Sequence, residues 1–147
     1  MDLGELARQA SAAFDQRLNA RGIRLDIETE GKLRTMADPQ RIRQLLHNLL
    51  DNGCKYVEER GRMRLRLARV DDRVEISLDD SGPGVEGAQL QRLFDRFYRV
   101  EESRARSTGG SGLGLSICKN IAEAHGGTIR AVHSELGGLG LRLTLPE

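Results

Sequence analysis

The chain is poor in aromatic residues, with three Phe, two Tyr and no Trp among 147 residues. That argues against the stacking platforms on which single-stranded nucleic acids are bound. Charge of one sign is lacking too. The formal net charge is +1 although 31% of residues are charged, so composition alone carries no polyanion-binding signature. Only two cysteines occur, Cys54 and Cys118, without Cys-x-x-Cys spacing. They read as reduced thiols packed on helices of a cytosolic protein. No apolar run approaches the roughly 18 residues of a membrane span, and no signal peptide or lipidation motif is visible. The sequence reads as a soluble chain without membrane insertion of its own, long enough for one domain with a real core. It opens directly on a helical pattern and stops just after a strand-like stretch, which reads as an excised domain.

Glycine, by contrast, is plentiful, with 17 residues, several of them clustered. Leu3, Leu6, Ala7, Ala10, Phe14 and Leu18 recur at helical spacing, and Gly22 closes that helix. Ile23, Leu25 and Ile27 alternate with polar residues as in a strand, and a short extended stretch follows over 33–36. Asp38 and Pro39 are a good N-cap and first residue for a second helix running to about Val57. Met63, Leu65 and Leu67, then Val74, Ile76 and Leu78, mark two antiparallel half-buried strands joined around Asp71-Asp72. The interleaved Arg62, Arg64 and Arg66 read as a solvated sheet face. A short helix fits 88–94, and residues 95–112 have no steady period, as in a functional loop. Leu113, Ile117, Ile121 and His125 restore a helix that Gly126-Gly127 ends. Strands over 128–132 and 139–145 complete an α/β order, with helices on one face of a mixed sheet.

Four segments carry chemistry. Asn48, Asn52, Lys55 and Tyr56 fall at i, i+4, i+7 and i+8, one stripe of the second helix, opposite the apolar stripe Ile42, Leu45, Leu46, Leu49 and Leu50. Magnesium prefers oxygen ligands and often takes only one or two protein groups beside phosphates, so carboxamides suit it. Lys55 can meet a phosphate and Tyr56 can lie against a base. Asp80, at a strand end, can accept from an exocyclic amine, and Gly82 and Gly84 let backbone approach a flat ring. Gly109-Gly110-Ser111-Gly112-Leu113-Gly114-Leu115 opens into a helix whose amides can face phosphate. It is no dinucleotide fingerprint, because Leu115 stands at the third glycine position, and Gly31-Lys32-Leu33 is no P-loop. It remains a phosphate loop of another kind or a hinge. Phe94 and Phe97 anchor the long loop by packing, and Arg99 can reach a γ-phosphate from it.

In this order and spacing the segments resemble bacterial two-component sensor histidine kinases. Asn48-Leu-Leu-Asp-Asn52-Gly-Cys-Lys55-Tyr56 looks like their N box, and Asp80-x-Gly82-x-Gly84 their G1 box. Phe94-Asp-Arg-Phe97-Tyr-Arg99 looks like the F box, and Gly110-x-Gly112-Leu113-Gly114-Leu the G2 box. His125-Gly-Gly and Leu136-Gly-Gly…Leu145-Pro146 also match the family's habit, and the flavour is that of envelope-stress membrane sensors. The resemblance implies the Bergerat-type ATP-binding sandwich shared with gyrase, Hsp90 chaperones and MutL. That is an α+β two-layer sandwich with a mixed, mostly antiparallel sheet of about five strands and three helices on one face. It implies Asn52 as magnesium ligand, Asn48 supporting phosphates and metal, and Lys55 and Arg99 on phosphates. Tyr56 would flank adenine, Asp80 would hold its amino group, and Gly82, Gly84, Gly110, Gly112, Leu113 and Gly114 would line the nucleotide. Residues 95–112 would form a lid over ATP within a single domain, 1–147. Gly53 and Val57 depart mildly from the frequent alanine and threonine, and mid-helix Gly53 costs about 1 kcal/mol relative to alanine.

The superfamily's hydrolases typically carry a glutamate four residues before the metal-binding asparagine. Here Asn48 stands there, and a carboxamide is a poor general base. The implied activity is phosphoryl transfer, with Asn48, Lys55 and Arg99 as the catalytic set and Mg2+ and ATP as cofactors. The acceptor would be a histidine on a separate dimerisation domain of the parent kinase, with a response regulator downstream. His47, His125 and His133 lack the His-Glu/Asp-x-x-x-Pro context of an acceptor, so the isolated chain is expected to be a monomer that does not autophosphorylate. The parent would be an inner-membrane protein with this part in the cytoplasm. A nucleotide-sensing module without transfer, and a serine kinase of the anti-sigma-factor type, remain as alternatives.

Overall fold

A computed structural model describes residues 2–83, 87–95 and 114–147. Asp2 caps helix α1 (Leu3–Ala12), its carboxylate accepting from the Gly4 amide at 2.9 Å. The single helix expected up to Gly22 is in fact two. The amides of Ala13 and Phe14 donate to the carbonyls three residues back, and a separate α2 (Asp15–Ala20) follows. Apolar spacing gives no sign of the break, because Ala7 and Leu18 are buried on either side of it and Phe14 within it. Gly22 then turns the chain at φ 65° into β1 (Arg24–Thr29).

Helix α3 (Pro39–Tyr56) begins as its sequence dictates. Asp38 accepts from the Gln40 amide at 2.9 Å, and Pro39 fills the first turn, where no donor is needed. Ile42, Leu45, Leu46, Leu49 and Leu50 are all buried. Its far end is closed by a residue that sequence reasoning passed over: the Arg21 guanidinium, from the end of α2, donates to the carbonyls of Cys54 and Val57. A fork of fixed positive charge suits the unpaired carbonyls of a helix C-terminus. Arg21→Ala is therefore expected to lower stability by about 1–2 kcal/mol, read as a lower urea midpoint at unchanged slope.

The strands β2 (Arg62–Val70), β3 (Arg73–Asp80), β4 (Thr128–His133) and β5 (Leu139–Pro146) join β1 in one sheet of order β1-β2-β3-β5-β4. Only β1 and β2 pair in parallel; the other three pairs are antiparallel. Asp71 turns the β2–β3 hairpin at φ 58°, a left-handed conformation that aspartate tolerates. Met63, Leu65, Leu67, Val74, Ile76, Leu78, Leu141, Leu143 and Leu145 are buried in the single core with α3 and its neighbours. The opposite sheet face is polar. Arg62 and Arg66 are exposed there, as a solvated face requires, but Arg64 is not simply solvated. It pairs with Glu135 at 2.7 Å and lies 3.8 Å from Asp79, which is 2% exposed and also holds Arg142 at 3.0 Å.

The short helix expected over 88–94 is α4 (Gly87–Leu90) continued by a 3-10 turn (Gln91–Phe94). Helix α5 (Gly114–Ala124) ends at His125, which joins two helices. Its Nδ1 lies 2.8 Å from the Ile121 carbonyl, and its Nε2 accepts from the Asp38 amide at 3.3 Å, at the start of α3. The described residues thus hold five α-helices rather than the three that the resemblance implied, since the first helix is divided and the short helix read from the sequence is present as α4. Both cysteines are free and buried, and burial pushes the Cys118 thiol up to about 12, which leaves it unreactive. Gly53 packs against the flexible end of Met63. A Cβ there would lie 2.2 Å from the terminal methyl of Met63, which fills the space. Among the described residues no helix is long and apolar enough to cross a membrane.

Candidate nucleotide-binding site

The polar stripe of α3 forms as its spacing predicts. Asn48, Asn52, Lys55 and Tyr56 are all half-buried, neither sunk in the core nor fully solvated. Asn48 differs from an ordinary surface residue in one respect: its Nδ2 is buried without a hydrogen-bond partner among the described residues. A buried amide donor left unmatched costs about 1–3 kcal/mol, so such a group calls for a ligand. No cluster of three His, Cys, Asp or Glu that could hold a metal exists among the described residues. The neutral carboxamide oxygens of Asn48 and Asn52 have the chemistry that suits magnesium carried in on phosphates.

Two turns bring the second segment against this helix. At Gly82 a Cβ would lie 3.2 Å from the Val57 Cα and 3.4 Å from the Tyr56 carbonyl oxygen. A side chain there would need the Asp80-Ser81-Gly82 turn and the end of α3 to move apart by a few tenths of an ångström. Ser81 fastens the turn, its Oγ accepting from the Arg62 amide at 2.7 Å. Asp80 stands at the end of β3 as expected, and its carboxylate is clamped. Oδ1 accepts from the Gly82 amide and from the Leu139 amide, both at 3.0 Å. The Gly138 amide donates to the Asp80 carbonyl, also at 3.0 Å. Two backbone donors on one oxygen hold the plane of the carboxylate, a prerequisite for reading a base edge. The 138–139 half of this clamp was not foreseen from sequence. The available sign was the Gly137-Gly138 pair just before a strand.

Lys55 is placed differently from a bare phosphate ligand. Its Nζ lies 3.1 Å from Asp51 Oδ2, and Asp51 Oδ1 accepts from Arg17 Nη1 at 2.8 Å. Burial raises the Asp51 pKa, but hydrogen bonds and charge from Arg17 and Lys55 outweigh it, so the group is held below the usual carboxylate value. Gly114 opens α5 with no atom of the described residues within 4 Å of where a Cβ would stand. Gly84, Arg99, Gly110, Gly112 and Leu113, with nearly all of the expected lid over 95–112, lie outside the described residues.

A helix presenting carboxamides beside a clamped strand-end carboxylate, on a mixed sheet open on its other face, is the arrangement of an ATP-binding α/β sandwich. A family model described as histidine kinase-, DNA gyrase B-, and HSP90-like ATPase matches residues 37–147, and the chain belongs to that family. It is 43% identical over 146 residues to the signal transduction histidine-protein kinase BaeS of Escherichia coli (strain K12), covering 99% of this chain and 31% of BaeS. The catalytic domain of histidine kinase ThkA superposes with a TM-score of 0.88 at 30% identity, over 99% of this chain and 93% of that one. Full-length ShkA in complex with AMPPNP gives a TM-score of 0.82 at 32% identity, over 99% of this chain and 30% of that one. The chain therefore spans under a third of BaeS and nearly all of the ThkA catalytic domain.

Proposed function

We propose that the chain binds Mg-ATP and transfers its γ-phosphoryl group to a histidine on a separate dimerisation and phosphoacceptor domain of a two-component sensor kinase. One observation carries this furthest. Asn48 holds the position where the superfamily's hydrolases place a glutamate, and its amide nitrogen is buried without a partner among the described residues. A carboxamide there can donate to a phosphate oxygen but cannot deprotonate water. The group is thus kept for a protein acceptor.

In this reading the Asn52 side-chain oxygen holds the metal. Lys55 and Arg99 offset charge on the phosphate oxygens, Tyr56 flanks the base and Asp80 accepts from its amino group. Gly82, Gly84, Gly110, Gly112, Leu113 and Gly114 let the backbone close on the nucleotide, under a lid over 95–112. Magnesium, held there, would offset the negative charge developing on the phosphate oxygens. The acceptor imidazole attacks the γ-phosphorus, the bond to the β-γ bridging oxygen breaks, and ADP leaves. The whole of 1–147 is one unit, monomeric in isolation, in the cytoplasmic part of an inner-membrane kinase with a response regulator downstream. AMPPNP in the ShkA complex supports the ATP-binding part of this reading, and the naming of BaeS as a signal transduction histidine-protein kinase supports the kinase part.

The test supplies the histidine-bearing helical hairpin of the parent kinase in trans with γ-labelled ATP. Label is expected on the hairpin and not on the isolated chain. Tight nucleotide binding without transfer to any histidine would favour a sensing module instead. Label on the chain's own His47, His125 or His133 would contradict the assignment.

A further inference from the structure

Lys55 sits where two rows of α3 meet. Asn48 and Asn52 precede it by seven and three residues along the nucleotide-facing stripe. His47 and Asp51 precede it by eight and four along the neighbouring flank. Side chains three and four apart on a helix are neighbours, so Lys55 reaches both rows by rotating its own stem. In this structure it is turned to Asp51, 3.1 Å away. Asp51 is not left to Lys55 alone, since Arg17 of α2 holds the other carboxylate oxygen at 2.8 Å. Arg17 is itself placed: its Cζ lies 5.1 Å from the centroid of the Phe14 ring, and that ring packs tilted against His47 at 4.9 Å between centroids, one turn before Asp51. Arg17 lies in a segment outside residues 37–147, the span that matches the family model.

We propose that Asp51 is a positioning residue that holds Lys55 in reserve, and that Arg17 is the standing counterion that lets Asp51 release Lys55 to the nucleotide's phosphates. This deepens the reading of Lys55 as a phosphate-binding residue and rests on it. The physical argument is one of competition. A carboxylate and a triphosphate both attract the same ammonium, and a carboxylate with one cation resists losing it. A carboxylate that keeps a second, well-placed cation loses less when the first departs. Arg17 suits the permanent role, because a guanidinium seated on a ring is ordered beforehand, while the lysine stem is flexible. Lys55 and Asp51 side chains are 26% and 29% exposed, so the pair is screened but not dissolved in bulk water.

The experiment measures binding of AMPPNP with magnesium by calorimetry, and of adenosine by magnetic resonance titration, at one fixed ionic strength. Asp51→Asn is expected to tighten AMPPNP about three-fold, and Arg17→Gln to weaken it about three-fold, the range of a partly screened ion pair. The double variant is expected to match Asp51→Asn alone, because without the carboxylate Arg17 has nothing to hold. Adenosine binding should be unchanged in all three, which a mere loosening of α2 against α3 would not allow. Equal Arg17→Gln effects in both backgrounds, or weaker AMPPNP binding by Asp51→Asn, would overturn the proposal. Lys55→Met separates the two layers. If it weakens AMPPNP while the cycle is additive, only the reserve role fails. If it leaves AMPPNP unchanged, the phosphate role of Lys55 fails with it.

Discussion

Asn52→Ala is expected to reduce phosphoryl transfer to the hairpin by about 100-fold or more, the scale seen when a group meeting transition-state charge is removed. The expectation is large because the site offers so little else. Among the described residues no acidic or histidine cluster could substitute as a metal cage. On the proposed assignment a single carboxamide oxygen would anchor a cation otherwise held by phosphates and water. The fold should hardly notice, since Asn52 is half-buried on the polar side of α3 while the buried stripe from Ile42 to Leu50 stays intact. The thermal midpoint serves as that control. Removing magnesium with a chelator gives a second arm: wild type should fall to the level of the variant, and the variant should fall little further. Equal transfer by wild type and Asn52→Ala would reject the metal-ligand assignment outright.

Local signals made α3 legible residue by residue. Asp38 and Pro39 are start signals that act within one turn, and the 3.6-residue recurrence of Ile42, Leu45, Leu46 and Leu49 is set by burial on one side. The strands were legible for the same reason: one face packs and the other is wet, so Met63, Leu65 and Leu67 alternate with arginines. What stayed hidden depends on residues far apart in the chain. The Leu139 amide reaches Asp80 across 59 positions, and Arg17 reaches Asp51 across 34. Neither partner has a periodicity that announces it. Arg21 follows α2, yet it closes a different helix, and no local pattern marks that role. The division of the first helix at Phe14 left no trace either, because a single turn tightened to three-residue bonds keeps the same apolar residues buried. The site could be listed by residue type from the sequence, but the parts that orient Asp80 and Lys55 are tertiary.

Gly138→Ala is the substitution expected to damage both fold and site. A Cβ at this position would fall 2.1 Å from Asp80 Oδ1, 2.5 Å from the Gly82 carbonyl oxygen and 2.7 Å from the Asp80 carbonyl oxygen. Two of these three atoms belong to backbone, so no side-chain rotation relieves the overlap. Either the 137–139 segment withdraws from the end of β3 or the Asp80-Gly82 turn is pushed away. Overpacking of this kind costs about 1–3 kcal/mol. Both routes stretch the Gly138 and Leu139 donors off Asp80, and the carboxylate loses half of its clamp. Affinity for ATP is then expected to drop more than ten-fold, and preference for ATP over GTP to shrink with it, because reading an exocyclic amine depends on the carboxylate plane. Gly87→Ala is the matched control: no atom of the described residues lies within 4 Å of its Cβ position, and stability should stay within about 0.5 kcal/mol of wild type. Calorimetry with both nucleotides, beside a denaturation curve for each variant, decides the matter. A Gly138→Ala protein that lost stability yet kept its full preference for adenine would show that the clamp supports the fold and leaves base selection to other groups.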